Sequence, residues 1–133
     1  MRITADTNVL VRAITGDDPH QSEVAQTELA NAELVALTLP TLCELAWVLS
    51  RSYRIPPQGI VDTFKRLICS DNVSVDRPAV EAGLTVLEAG GDFADGVIAY
   101  EGERLGADTY VSFDRKAVDL VRGRQRRDAR LLA

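Results

Sequence analysis

Four acids fall where a strand-forming or loop stretch gives way to a helix-forming one. They are Asp6 in Ala5-Asp6-Thr7-Asn8-Val9-Leu10, Glu44 in Leu42-Cys43-Glu44-Leu45-Ala46-Trp47, Asp95 in Asp92-Phe93-Ala94-Asp95-Gly96, and Asp114 in Val111-Ser112-Phe113-Asp114. If the four converge, they form a metal site. Two carboxylates about 4 Å apart repel by roughly 4 kcal/mol at an effective dielectric near 20, so an unpaired cluster protonates or pushes the fold apart. A hard divalent cation removes that conflict.

The elements that would carry these acids follow from periodicity and breakers. Residues 2–5 read as a first strand, and a helix begins over 9–14 and is stopped by Gly16-Asp17-Asp18-Pro19. Helical spacing recurs over 21–30, 41–53, 79–88 and 93–105, and again after Pro56-Pro57, where Ile60, Val61, Phe64, Leu67 and Ile68 share a stripe. Strands are expected over 34–37, 73–75 and 109–113. Alternation of this kind predicts an α/β fold with a mostly parallel central sheet and helices on both faces, because parallel strands require crossover connections. Ligands of such sheets bind beyond the carboxyl ends of the strands, where Asp6 and Asp114 would project. Asp95 falls in the first turn of a helix, at the positive end of its dipole.

At 133 residues and 46% hydrophobic, the chain suits one domain spanning 1–133 with a real core. No stretch reaches the roughly 20 apolar residues needed to cross a bilayer, and the N-terminus has no basic region followed by an apolar segment, so a cytoplasmic protein with no membrane partner is expected. Cys43 and Cys69 lie in apolar periodic segments without CxxC spacing and read as buried free thiols. The net charge of −5 argues against binding through many phosphate contacts. That average is uneven. From Asp114 onward seven basic residues face three acids, a local +4 that leaves −9 on the preceding 113 residues. The basic segment either guides a polyanion or is a solvated helix face.

At the four motifs the sequence resembles the PIN-domain ribonucleases, and among them the VapC-type toxins of bacterial toxin–antitoxin pairs. Asp6-Thr7-Asn8-Val9-Leu10-Val11-Arg12 resembles the family's opening motif, Cys43-Glu44-Leu45-Ala46-Trp47-Val48-Leu49 its glutamate helix, Asp92-Phe93-Ala94-Asp95 its third motif and Ser112-Phe113-Asp114 its last. The resemblance implies a PIN-like α/β/α sandwich in which Asp6, Glu44, Asp95 and Asp114 bind Mg²⁺, or Mn²⁺ in its place, for hydrolysis of RNA. It also implies a homodimer and a small antitoxin partner whose segment lies across the active groove. Ser112 stands where the family often has Thr, and Gly96 where Ala is commoner, which would loosen the helix start by up to about 1 kcal/mol.

Phosphodiester cleavage needs an activated oxygen nucleophile and neutralisation of developing charge, and a divalent ion supplies both. Thr7, Asn8 and Ser112 would support the carboxylates by hydrogen bonding, and Asp92 would cap its helix as a supporting residue. Arg12, Arg115 and Lys116 are candidate RNA contacts, with the arginines from 122 to 130 further out.

Each acid also has a purely local explanation. Thr41-Leu42-Cys43-Glu44 fits a capping box, and Asp6 and Asp114 fit helix N-caps. Four separate caps would not explain the joint motif order. His20 follows a turn without a partner at ligand spacing and reads as surface, which leaves Cys43 without a histidine for nucleophilic catalysis. Trp47 reads as core rather than as a base-stacking platform. Two rivals differ in class: a PIN-fold nucleic-acid-binding or regulatory module that does not cleave, and an aspartyl-phosphate phosphatase or receiver-like domain. The second is disfavoured by Asn8 where a phosphatase wants a second acid, and by Ser112-Phe113-Asp114 where a receiver wants a lysine.

Overall fold

Side chains that accept from the unpaired first-turn N–H groups mark most of the helix starts in this protein: Asp6, Asp18, Thr38, Asp92 and Asp114. Its computed structural model describes residues 1–133, which divide into two compact units, Met1–Asp76 and Arg77–Ala133.

The first unit runs β1 (Arg2–Thr4), α1 (Thr7–Thr15), α2 (Pro19–Asn31), β2 (Leu34–Ala36), α3 (Leu39–Arg51), α4 (Pro57–Ile68) and β3 (Val73–Ser74). Its three strands lie in the order β1-β2-β3, all parallel, with Ile3 opposite Val35 and Val35 opposite Val73. A pair of helices fills each crossover, as parallel pairing demands. The expected stripe Leu42, Leu45, Ala46 and Leu49 is buried, together with Leu10, Ile60, Val61 and Phe64. Asn72 ties the approach to β3 back to the end of α2, donating from its carboxamide to the Leu29 and Ala32 carbonyls at 2.8 and 3.0 Å.

One boundary corrects the sequence reading. Thr38, not Thr41, caps α3: its hydroxyl accepts from the Thr41 amide at 3.4 Å, and Pro40 occupies the first turn. Thr41 is thereby already inside the helix, and Glu44 lies a turn beyond the start, so no Thr41–Glu44 capping box forms. Proline's fixed φ and missing N–H suit an early helix position, and this moves the start upstream.

The second unit comprises α5 (Arg77–Glu88), α6 (Phe93–Arg104), β4 (Tyr110–Ser112), α7 (Arg115–Arg124) and β5 (Ala129–Leu131), with β4 and β5 parallel and Tyr110 opposite Ala129. The sequence reading did not anticipate β5, a three-residue strand just after the arginine-rich stretch. It is held by burial: Ala129 joins Ala99, Val118 and Val121 in a small core against which Tyr110 and Leu131 pack.

Helices α5 and α6 approach closely at glycines. A Cβ on Gly96 would lie 2.5 Å from the Ala82 carbonyl oxygen, and one on Gly83 would lie 2.6 Å from the Phe93 ring. Gly96 is thus required by packing, which corrects its reading as a mere weakening of the helix start. With helices between strands that all pair parallel, the chain has the expected α/β fold, consistent with a PIN-like sandwich. No helix is long and apolar enough to cross a membrane.

Candidate acidic site

The candidate acids divide between the units. In the first, Asp6 adopts an extended backbone after β1 and caps α1, its carboxylate accepting from the Thr7 amide at 2.7 Å. Asp6 and Asn8 are exposed, whereas Thr7 is buried and its hydroxyl has no hydrogen-bond partner. A buried hydroxyl left unsatisfied costs about 1–3 kcal/mol, and an ordered water is enough to satisfy it. Glu44 is exposed on α3, with no role in capping it.

Arg12 is engaged within the first unit. Its guanidinium contacts Asp17 at 2.9 Å, and the same carboxylate accepts from the Tyr53 hydroxyl at 2.6 Å and the Thr15 hydroxyl at 3.0 Å. The Tyr53 hydrogen bond, aided by Thr15 and Arg12, holds the Asp17 carboxyl down at about 2, and Asp17 in turn raises Arg12 further above its ordinary value. Arg12 also lines a cavity of about 560 Å³ between α1 and α2 with Asn8, His20, Gln21 and Val24. His20 is exposed near the start of α2, as expected.

In the second unit three acids interact. Asp92 caps α6, accepting from the Ala94 amide at 3.1 Å, and Asp114 caps α7, accepting from the Ala117 amide at 3.1 Å. Asp95 sits in the first turn of α6, partly buried, and its carboxyl is pushed up to about 6, first by burial and then by the negative charges of Asp92 and Asp114. The helix N-terminus favours a carboxylate there, but desolvation and two like charges outweigh it. Ser112 fixes backbone rather than carboxylate: its hydroxyl accepts from the Asp114 amide at 3.0 Å.

Two residues of this environment were missed from sequence. Tyr110 shares a face of β4 with Ser112, and burial followed by the charge of Asp95 raises its phenol above its ordinary value, against an opposing hydrogen bond with Ser112. The two-residue strand period linking Tyr110 to Ser112 was the available signal. Gln125 gives no sequence signal at all, yet its carboxamide donates to the carbonyls of both Ala82 and Gly96, directly behind Asp95.

Several expectations need correction. Trp47 is 56% exposed rather than core, because the buried stripe of α3 runs through Leu42, Leu45, Ala46 and Leu49 on another face. Both thiols are free, but Cys69 is exposed and Cys43 only partly buried, since Cys69 lies at the end of α4 beyond its apolar stripe. The basic segment is not uniformly a solvated face. Arg122 donates to the Ala129 carbonyl, while Arg127 pairs with Glu103 and Gln125 and lies over the Tyr100 ring at 5.4 Å. Arg115, Lys116, Arg124, Arg126 and Arg130 are exposed.

A hard divalent cation takes oxygen donors. Within the second unit, the oxygen donors of Asp92, Asp95 and Asp114 and the repulsion among them suit such an ion. The side chains do not complete a cage: no group of three or more His, Cys, Asp or Glu is gathered in a geometry that could hold a metal.

No curated protein matches the chain. The family model for the PIN domain matches residues 3–123, nearly the whole length, and the chain therefore belongs to the PIN-domain family.

Proposed function

We propose that residues 1–133 act as one domain that engages nucleic acid through exposed cations beside its acidic helix starts, Arg115 and Lys116 among them. With the side chains as they stand, the geometry supports a PIN-fold module that binds or regulates nucleic acid without cutting it better than it supports a hydrolase. The observation that carries this is the lack of a gathered ligand set of three or more acids. Family membership supplies the link to nucleic acid. Arg115 and Lys116 add to it, because two exposed cations at the positive end of α7 gain nothing from the helix dipole and are open to phosphate.

A second reading rests on Asp95. A partly buried carboxyl pushed up to about 6 beside Asp92 and Asp114 is an electrostatic cost that a divalent cation relieves. On this reading the chain is a cytoplasmic Mg²⁺- or Mn²⁺-dependent endoribonuclease. Asp6, Glu44, Asp95 and Asp114 are the residues that would hold the ion, and the ion when bound supplies an activated water and charge neutralisation. Thr7, Asn8, Asp92 and Ser112 support those acids, and Arg12, Arg115 and Lys116 hold the RNA strand. The motif order further supports the role of toxin in a toxin–antitoxin pair, acting as a homodimer silenced by its antitoxin.

One experiment separates the readings. Labelled RNA is incubated with the protein in Mg²⁺, in Mn²⁺ and in EDTA, and binding and products are followed together. Binding without products in any buffer supports the non-cleaving module. Metal-dependent products that disappear in Asp6→Asn, Glu44→Gln, Asp95→Asn and Asp114→Asn establish the nuclease. Neither binding nor cleavage would defeat both.

A further inference from the structure

Helix α3 carries a stripe that its packing does not use. Pro40, Glu44, Trp47 and Arg51 recur at helical spacing, and all four are exposed, whereas Leu42, Leu45, Ala46 and Leu49 on the other face are buried. Residues three and four apart on a helix are surface neighbours, so the indole of Trp47 lies between a site acid one turn back and a cation one turn on. Over the seven residue steps from Glu44 to Arg51 the axial span is roughly 10 Å. A large aromatic ring left 56% exposed between charged neighbours presents aromatic surface to solvent.

We infer that Trp47 is a stacking platform for an unpaired nucleobase, with Arg51 holding the adjoining phosphate. The ligand is a single strand, because pairing hides base faces inside a duplex, and stacking on an aromatic ring with a neighbouring cation is how such strands are held without sequence readout. Any base offers this π-face, so RNA and single-stranded DNA share the chemistry. The inference rests on the nucleic-acid reading above but not on cleavage.

Trp47 is the sole tryptophan of the chain, so intrinsic fluorescence reports on this position alone. The full chain is titrated with end-labelled octanucleotides of RNA and of single-stranded DNA and with a duplex, in EDTA and in Mg²⁺, while emission and anisotropy are recorded together. Quenching should saturate at the concentration where anisotropy saturates, for single strands and not for the duplex. Trp47→Ala should weaken binding about 5- to 100-fold, with Trp47→Phe recovering most of the loss. Arg51→Gln should reduce the salt slope by about one. The two strand types distinguish RNA from DNA as the source of the base. Rising anisotropy with unchanged emission, and wild-type affinity in Trp47→Ala, would overturn the platform and leave the nucleic-acid reading standing. Emission that depends on protein concentration without any oligonucleotide would assign the ring to a contact with a second copy instead. Absence of any anisotropy change would remove the nucleic-acid reading, and the platform with it.

Discussion

The carboxamide nitrogen of Gln125 lies 2.9 Å from the carbonyl oxygen of Gly96. The same nitrogen reaches the Ala82 carbonyl at 3.0 Å, so one side chain at the end of α7 binds both helices of the α5–α6 crossing. That crossing is tight because Gly96 has no Cβ, and Gly96 directly follows Asp95. The position of the most perturbed acid in this unit is therefore set by a glycine contact and a glutamine, neither of which is itself acidic.

Removal of that staple should be costly. Gln125→Ala leaves two carbonyls without this donor and should destabilise the protein by about 1–3 kcal/mol. Gly96→Ala places a methyl 2.5 Å from the Ala82 oxygen and should cost at least as much as an overpacked core, about 1–3 kcal/mol. Urea denaturation at pH 7 measures both. A neutral Gly96→Ala would mean that the two helices separate without penalty.

The acid itself predicts a pH dependence. Asp95 titrates near 6 when folded, against an ordinary value of 3.8, so between these values the native state holds the proton that the unfolded state has lost. Stability due to this group is therefore unaffected below about pH 4, falls as pH rises toward 6, and stays reduced above it. Asp95→Asn should melt higher than wild type at pH 7 and equally at pH 3.5. Should Mg²⁺ erase the difference at pH 7, the cation is binding at this carboxyl.

Capping and site roles separate on α3. Thr38→Ala should cost about 0.5–1 kcal/mol through the lost cap, whereas Glu44→Gln at an exposed position should change stability by less than about 0.5 kcal/mol. Thermal melts of the two variants check this. A large loss in Glu44→Gln would restore a structural role to that residue.

The arginines of the C-terminal segment should fall into two classes. Arg127→Gln removes the pairing with Glu103 and the contact over Tyr100, and should lower stability by about 1 kcal/mol. Arg124→Gln and Arg126→Gln should leave stability unchanged and, if these residues meet phosphate, each should make the salt dependence of RNA binding shallower by about one ion. Paired melting and binding series distinguish the classes, and an unchanged salt slope would leave Arg124 and Arg126 as solvated surface.

By itself the sequence determined what depends on near neighbours. The alternation of helices and strands, the buried stripe of α3, and the caps at Asp6, Asp92 and Asp114 were all legible, because caps and amphipathic faces are decided within a few residues. The four motifs carried the family in the same way. Tertiary structure decided the rest. Whether Trp47 is core or surface depends on which face of α3 meets its neighbours, and the start of that helix shifted to Thr38 because a proline could be accommodated in its first turn. Gly96 became indispensable only once α5 lay against it. Arg122 and Arg127 found partners in β5 and α6, and Asp95 acquired its raised pKa first from burial, then from Asp92 three residues before it and Asp114 nineteen residues after it. Desolvation and Coulomb energies depend on distances in space, and no local pattern of residues encodes them.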